Sequence, residues 1–124
     1  MEPPFNVLGG MLTSCSHDPL TGWRRDGCCN TDAQDHGSHT ICARVTMEFL
    51  EFIREGGNDL ITPHPEFGFP GLVEGDQWCV CAASWRQAFK EGKACAVHLE
   101  STHAGALQIV PIEELMLHAI ATEV

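Results

Sequence analysis

The sequence predicts an α+β fold: a small, mostly antiparallel sheet with about three helices packed on one face and long irregular loops. Three observations carry this. Short stretches of strand-like alternation are interleaved irregularly with amphipathic stretches of helical period, unlike the regular alternation of a parallel-sheet fold. The chain has 124 residues without a linker, repeat or low-complexity tract, which fits one domain spanning 1–124. Its apolar share of 44% is ordinary for a chain that buries its own core and too high for disorder.

Residues 5–8, Phe-Asn-Val-Leu, read as a short first strand, and residues 13–37 are turn-rich. In Asp18-Pro19-Leu20-Thr21-Gly22 the aspartate opens a turn and the proline fixes the next dihedral; Asp26-Gly27 is a second turn. Residues 39–45 alternate as a strand, with Ile41, Ala43 and Val45 on one side and Thr40, Cys42 and Arg44 on the other. Thr46 then caps a helix with the apolar stripe Phe49, Leu50 and Ile53, stopped by Gly56-Gly57.

Residues 56–76 have no period and hold three prolines and five glycines. An aperiodic connection of about 20 residues is unusual in a small domain, and such loops are often functional. The alternative is a packed loop pinned by Phe67 and Phe69. Residues 77–83 read as a central strand, and Ser84 caps a second helix with Trp85, Ala88 and Phe89 on its buried side and Gly92 at its end. Residues 95–100 read as a third strand, and Thr102 caps a short helical turn through Leu107. Pro111 opens the last helix, with Glu113 and Glu114 in its first turn, His118 in its last, and the stripe Ile112, Leu115, Met116 and Ala119.

The formal net charge of −10 repels phosphate backbones, so no nucleic-acid partner is expected. No run approaches the roughly 18 apolar residues that span a bilayer, so no membrane partner is expected. Met1-Glu2-Pro3-Pro4 lacks the basic start and apolar stretch of an export signal, which places the chain in the cytoplasm. Seven cysteines, an odd number, together with that placement disfavour a disulfide scaffold; free buried thiols are the expectation.

Two groups of three motifs run in order along the chain. Asp18-Pro19-Leu20-Thr21-Gly22, Arg25-Asp26-Gly27-Cys28-Cys29 and Gly37-Ser38-His39-Thr40 occupy the N-terminal half. Gly57-Asn58-Asp59-Leu60, Pro65-Glu66-Phe67-Gly68-Phe69-Pro70-Gly71-Leu72 and Gly75-Asp76-Gln77-Trp78-Cys79-Val80-Cys81-Ala82 occupy the centre. With these motifs the chain resembles, over nearly its whole length, the bacterial domain-of-unknown-function family 2237. The resemblance implies a compact single-domain α+β fold and brings no catalytic or binding residues with it. Lys93-Ala94-Cys95-Ala96 departs from the proline-rich stretch usual there in the family, which sets Cys95 outside any site. His36 likewise looks particular to this chain.

Among candidate sites, thiolates and imidazoles are the usual zinc ligands, and the available set is Cys28, Cys29, His39, Cys42, Cys79 and Cys81. The spacing is unfavourable. On a regular strand the Cα atoms of Cys79 and Cys81 lie ~6.6 Å apart. Zinc with bonds of ~2.3 Å needs its sulfurs within ~4 Å. Cys28 and Cys29 are adjacent, and neighbouring side chains diverge. No cofactor is therefore expected, zinc being the metal should one bind. For nucleophilic chemistry the candidates are Cys29 as nucleophile, His39 as base and Asp26 as orienter, because Arg24 and Arg25 precede the cysteines. For binding they are Arg25, Asp59, Asp76 and His103, all at turns or strand ends, although Asp59 and Asp76 also suit ordinary turns.

Three functions follow. The first is a small-molecule-binding domain or small enzyme with a loop-built Asp/His/Cys pocket. The second is an interaction or structural protein, such as a homodimer, without chemistry. The third is a thiol-based metal or redox module.

Overall fold

The structure, a computed structural model, describes residues 4–120; the first three residues, on which the export-signal expectation partly rests, lie outside the described residues. The alternating segment forms β1 (Ile41–Arg44), and Ile41 and Ala43 are sealed in the core as their alternation requires. Thr46 follows in extended conformation, and its side chain accepts a hydrogen bond from the Phe49 backbone, opening α1 (Met47–Glu55). Phe49, Leu50 and Ile53 form the buried stripe of α1.

Strand β2 (Gln77–Val80) runs antiparallel to β1 with Cys42 opposite Cys79. It ends sooner than its apolar sequence suggests, because Cys81 already serves as N-cap of α2 (Ala82–Lys90). Ser84 thus lies inside the first turn of the helix instead of capping it. Strand β3 (Ala96–Val97) is only two residues long and pairs antiparallel with β1, giving the order β2-β1-β3. Three 3₁₀ turns complete the connections, at Pro65–Phe67 within the glycine- and proline-rich loop, Leu99–Ser101 and Ala104–Gln108. Helix α3 (Ile112–Leu117) closes the order, and its buried residue is Leu115; Met116, expected in its stripe, is exposed. Three helices with a three-stranded antiparallel sheet make the α+β architecture that the patterning implies.

Three local expectations are corrected. Residues 5–8 form no strand, because the Asn6 side chain ties the segment into a turn. Its amide nitrogen donates to the carbonyls of Met11 and Glu100, and its oxygen accepts from the backbones of Leu8 and Gly10. Phe67 is 82% exposed and pins nothing; Phe69 does so alone, edge-on to Trp78 at 5.3 Å. Four cysteines expected to be free thiols are bonded as Cys15–Cys42 and Cys29–Cys79. Odd parity disfavoured pairing, yet the chain leaves Cys28, Cys81 and Cys95 over as free thiols.

Residues 4–40 contain neither helix nor strand beyond isolated bridges. Their backbone groups are satisfied locally instead. The Gly27 carbonyl accepts from Cys15 and Ser16, and the Gly27 backbone donates to Thr21. Gly22, at φ 106°, lies so close to the Cys28 carbonyl that a Cβ there would collide with it. The main core gathers Ile41, Val45, Phe49, Leu50, Trp85 and Val97 among others, and the Trp85 indole donates to the Cys95 carbonyl at 3.1 Å. Phe49→Ala is expected to lower unfolding free energy by about 3–5 kcal/mol in a urea titration, from lost burial and the cavity left behind. Phe67→Ala should change it by less than about 0.5 kcal/mol.

Candidate functional site

The outer edge of β2 carries the site. There Trp78, Cys79, Val80 and Cys81 form one wall of a cavity of about 410 Å³, and Gly22, Trp23, Arg25, His39, Asn58 and Leu60 form the rest. A second cavity of about 300 Å³ shares Arg25, Leu60 and Trp78 with the first and adds Asp59, His64, Phe67 and Phe69. Arg25 therefore stands between the two. Its guanidinium lies 5.2 Å from the centre of the Trp78 ring and donates to the Gly22 carbonyl at 2.8 Å. Its backbone is left-handed at φ 54°, a conformation that side-chain-bearing residues adopt at a cost.

His39 is fixed by Asp35, whose carboxyl side chain is fully buried. Nδ1 of His39 meets Asp35 Oδ1 at 2.6 Å, while Oδ2 accepts from the His39 backbone and from the Thr31 hydroxyl, both at 2.9 Å. With Nδ1 engaged, Nε2 is the nitrogen left for a ligand. The Trp23 indole runs nearly parallel to the imidazole, at 9° and 6.1 Å. Burial alone would push the Asp35 carboxyl up, but the hydrogen bonds from His39 and Thr31 outweigh it and hold it below the usual carboxylate range.

Cys81 is the free thiol of this cavity; half-buried, it donates to the Gly37 carbonyl at 2.8 Å. A side chain at Gly37 would come within 2.9 Å of the His39 ring, so the same short turn touches both groups. The other free thiols lie outside this cavity. Cys95 is buried away from water and its thiol is pushed up to about 12. Burial and the neighbouring Asp26 carboxylate both push the Cys28 thiol up.

Of the residues singled out from sequence, Arg25, His39, Cys79 and Cys81 line the larger cavity, and Arg25 and Asp59 line the smaller. The others lie elsewhere, and the aspartates among the candidates serve their own turns. Cys29 is sealed and bonded to Cys79, so it presents no thiol in this state. Asp26 accepts from the Cys28 backbone and closes its own turn, while Asp35 holds the imidazole. Asp76 accepts from the Val73 backbone, and Asp59 from Ile61, Thr62 and the Thr62 hydroxyl, as aspartates at turns do. His103 accepts from the Gly105 backbone through Nδ1 and caps a 3₁₀ turn; burial lowers its pKa. Sequence reasoning passed over Asp35 and Cys15. Asp35 had one local signal, a position four residues before His39 in a turn-rich stretch.

A second group lies behind β2, where Cys15, Cys29, Cys42 and Cys79 pack together in the interior. The sulfurs of Cys15, Cys29 and Cys79 fall within 4.8 Å of one another, a set that could hold a metal ion although all three are disulfide-bonded here. Among the described residues no helix is long and apolar enough to cross a membrane.

These features define a class: a small α+β protein whose irregular N-terminal third is held on a three-stranded sheet by clustered cysteines, with a cavity at the sheet edge. The chain belongs to the bacterial domain-of-unknown-function family 2237, described as an uncharacterized protein conserved in bacteria, which matches residues 5–119. No curated protein matches it.

The depressed Asp35 carboxyl fixes a sign for pH dependence. Its contribution to stability is complete above the unfolded-chain value of about 3.9 and is lost as pH falls through the lower folded value. Urea midpoints of the native chain should therefore drop on acidification below about pH 4 more steeply than those of Asp35→Asn, which lacks this proton uptake.

Proposed function

We propose that this protein binds a small, flat anionic molecule in the cavity at the edge of β2, with His39 placed to exchange a proton with it. The observation that carries the reading is the convergence of Arg25 and the Asp35-held His39 on one cavity walled by Trp23 and Trp78. The volume suits a small metabolite. Its chemistry runs against the rest of the surface, since a chain of net charge −10 would otherwise repel an anion. A guanidinium keeps several donors free after one bond to Gly22, and its planar fork matches a carboxylate or phosphate. The indoles supply flat apolar walls for the remainder of the ligand. Imidazole Nε2 serves as general acid or base, with Asp35 fixing the tautomer. Cys81 gives the same cavity a thiol.

Intrinsic fluorescence of Trp23 and Trp78 gives a direct readout. Titration with benzoate and other aromatic carboxylates should quench or shift it, and benzamide, lacking the charge, should bind at least tenfold more weakly. Arg25→Asn, which tolerates the left-handed backbone, should weaken benzoate by tenfold or more. Equal binding of the acid and the amide, or an unchanged affinity in Arg25→Asn, would refute the reading.

A further inference from the structure

The two disulfides are packed against each other, and stapling alone does not require this. Cys15 belongs to one bond and Cys29 and Cys79 to the other, yet their three sulfurs lie within 4.8 Å of one another. The fourth sulfur, of Cys42, is bonded to Cys15, and Cys42 is the cross-strand partner of Cys79. Three sulfurs thus lie within 4.8 Å of one another and the fourth adjoins them through its bond to Cys15, so small side-chain rotations on opening the bonds would bring all four to the roughly 3.8 Å edges of a zinc–thiolate tetrahedron with Zn–S bonds of ~2.3 Å.

The supports of this group are independent of the S–S bonds. The Thr21 hydroxyl accepts from the Cys79 backbone at 2.9 Å, and the Thr102 hydroxyl accepts from the Cys42 backbone at 3.2 Å. Both threonines are fully buried. The Gln77 side chain donates to the Cys15 carbonyl at 2.6 Å, and the Cys15 backbone donates to the Gly27 carbonyl. Main-chain positions so anchored keep the sulfurs converged when the bonds between them are opened, as the outer hydrogen bonds of a metal site do.

We propose that, when reduced, Cys15, Cys29, Cys42 and Cys79 bind one zinc ion as a closed four-thiolate site, and that the two disulfides are the oxidised, metal-free state of the same centre. Two equivalents of a dithiol reductant each deliver two electrons and two protons, opening both bonds to four thiols while each reductant closes to its own disulfide. Zinc then replaces thiol protons, which pass to solvent. Sulfur ligands select zinc over magnesium or calcium, and four protein ligands in a sealed position leave no open coordination site, so the metal's role is structural. The inference does not depend on the ligand cavity, although Cys79 belongs to both.

The test uses the full chain, oxidised and anaerobically reduced with dithiothreitol, each freed of reagent and titrated with cobalt(II) and then zinc(II). The reduced protein should take up one cobalt per chain with the thiolate-to-cobalt charge-transfer band and intense visible bands of a tetrahedral site, and zinc should bleach them. The oxidised protein should show none of this. Cys15→Ser and Cys42→Ser should each weaken cobalt at least tenfold, whereas Cys28→Ser, Cys81→Ser and Cys95→Ser should leave it unchanged. Circular dichroism followed in the same titration covers a reduced chain that folds only with metal: folding that saturates at one equivalent supports the site. Absence of the charge-transfer band in the reduced native chain, or its loss in the Cys28 or Cys81 variant while Cys15→Ser and Cys42→Ser retain it, overturns the proposal.

Discussion

The structure depends on four sulfurs meeting between β1, β2 and the irregular N-terminal third of the chain. Residues 4–40 have no ladder or helix to hold them, so their attachment rests on individual hydrogen bonds and on the bonds Cys15–Cys42 and Cys29–Cys79. These span 27 and 50 residues of sequence. In the chain-entropy account, closing loops of that length stabilises the fold by about 3–4 kcal/mol each, taken separately. That is comparable to a substantial part of the total stability of a domain this size. A metal joining the same four residues would impose the same closure by a different bond.

The sulfur cluster also explains where the cavity lies. The Cys42 backbone bonds toward β3, to the Thr102 hydroxyl and from the His98 backbone, and the Cys79 N–H bonds outward to Thr21. The facing pair Cys42–Cys79 is thus of the narrow antiparallel kind, without mutual hydrogen bonds, in which side chains come closest. Cys29 and Cys15 arrive from the loop side and close on this pair. The loop between them, which includes Trp23 and Arg25, is consequently laid along the edge of β2, against Trp78. His39 reaches the same edge by another route, since it stands just before β1 and its turn is locked by the buried Asp35.

Much of the sheet and helix framework was legible in the sequence. The Thr46 cap, the Phe49-Leu50-Ile53 stripe and the alternation around Ile41 and Ala43 are local patterns, and local physics reproduces them. The boundaries of β2 and α2 were not, because a strand that turns directly into a helix at Cys81 leaves no polar punctuation between them. The site was legible in part. Arg25 stands out in the sequence as a binding group at a turn and His39 as a candidate base, and they do share a cavity. Asp26 was the nearer carboxylate in the chain to the cysteines, but it is consumed by its own turn, and Asp35 is the one the fold presents to the imidazole. The sulfur pairing was illegible for a related reason. Spacing within the chain compares Cys79 with Cys81 and Cys28 with Cys29, whereas the fold bonds one member of each pair to the other, as Cys29–Cys79, and packs that bond against the distant pair Cys15–Cys42.

A three-stranded sheet has two open edges, and each must be paired, covered or charged to avoid joining another chain. Here both are covered by irregular segments. On one side, Val97 of β3 donates to the His118 carbonyl and accepts from Ile120, so the end of α3 and the residues after it close that edge. On the other, Thr21 occupies the outward N–H of Cys79, and the following residues through Arg25 lie over the strand. A covering strand would have satisfied β2 completely and left no room. A covering loop satisfies it at Thr21 and stands away from it at Trp23 and Arg25, which is how a protected edge becomes a cavity. The cation of Arg25, carried by that loop, and the imidazole of His39, held by Asp35, then face one space.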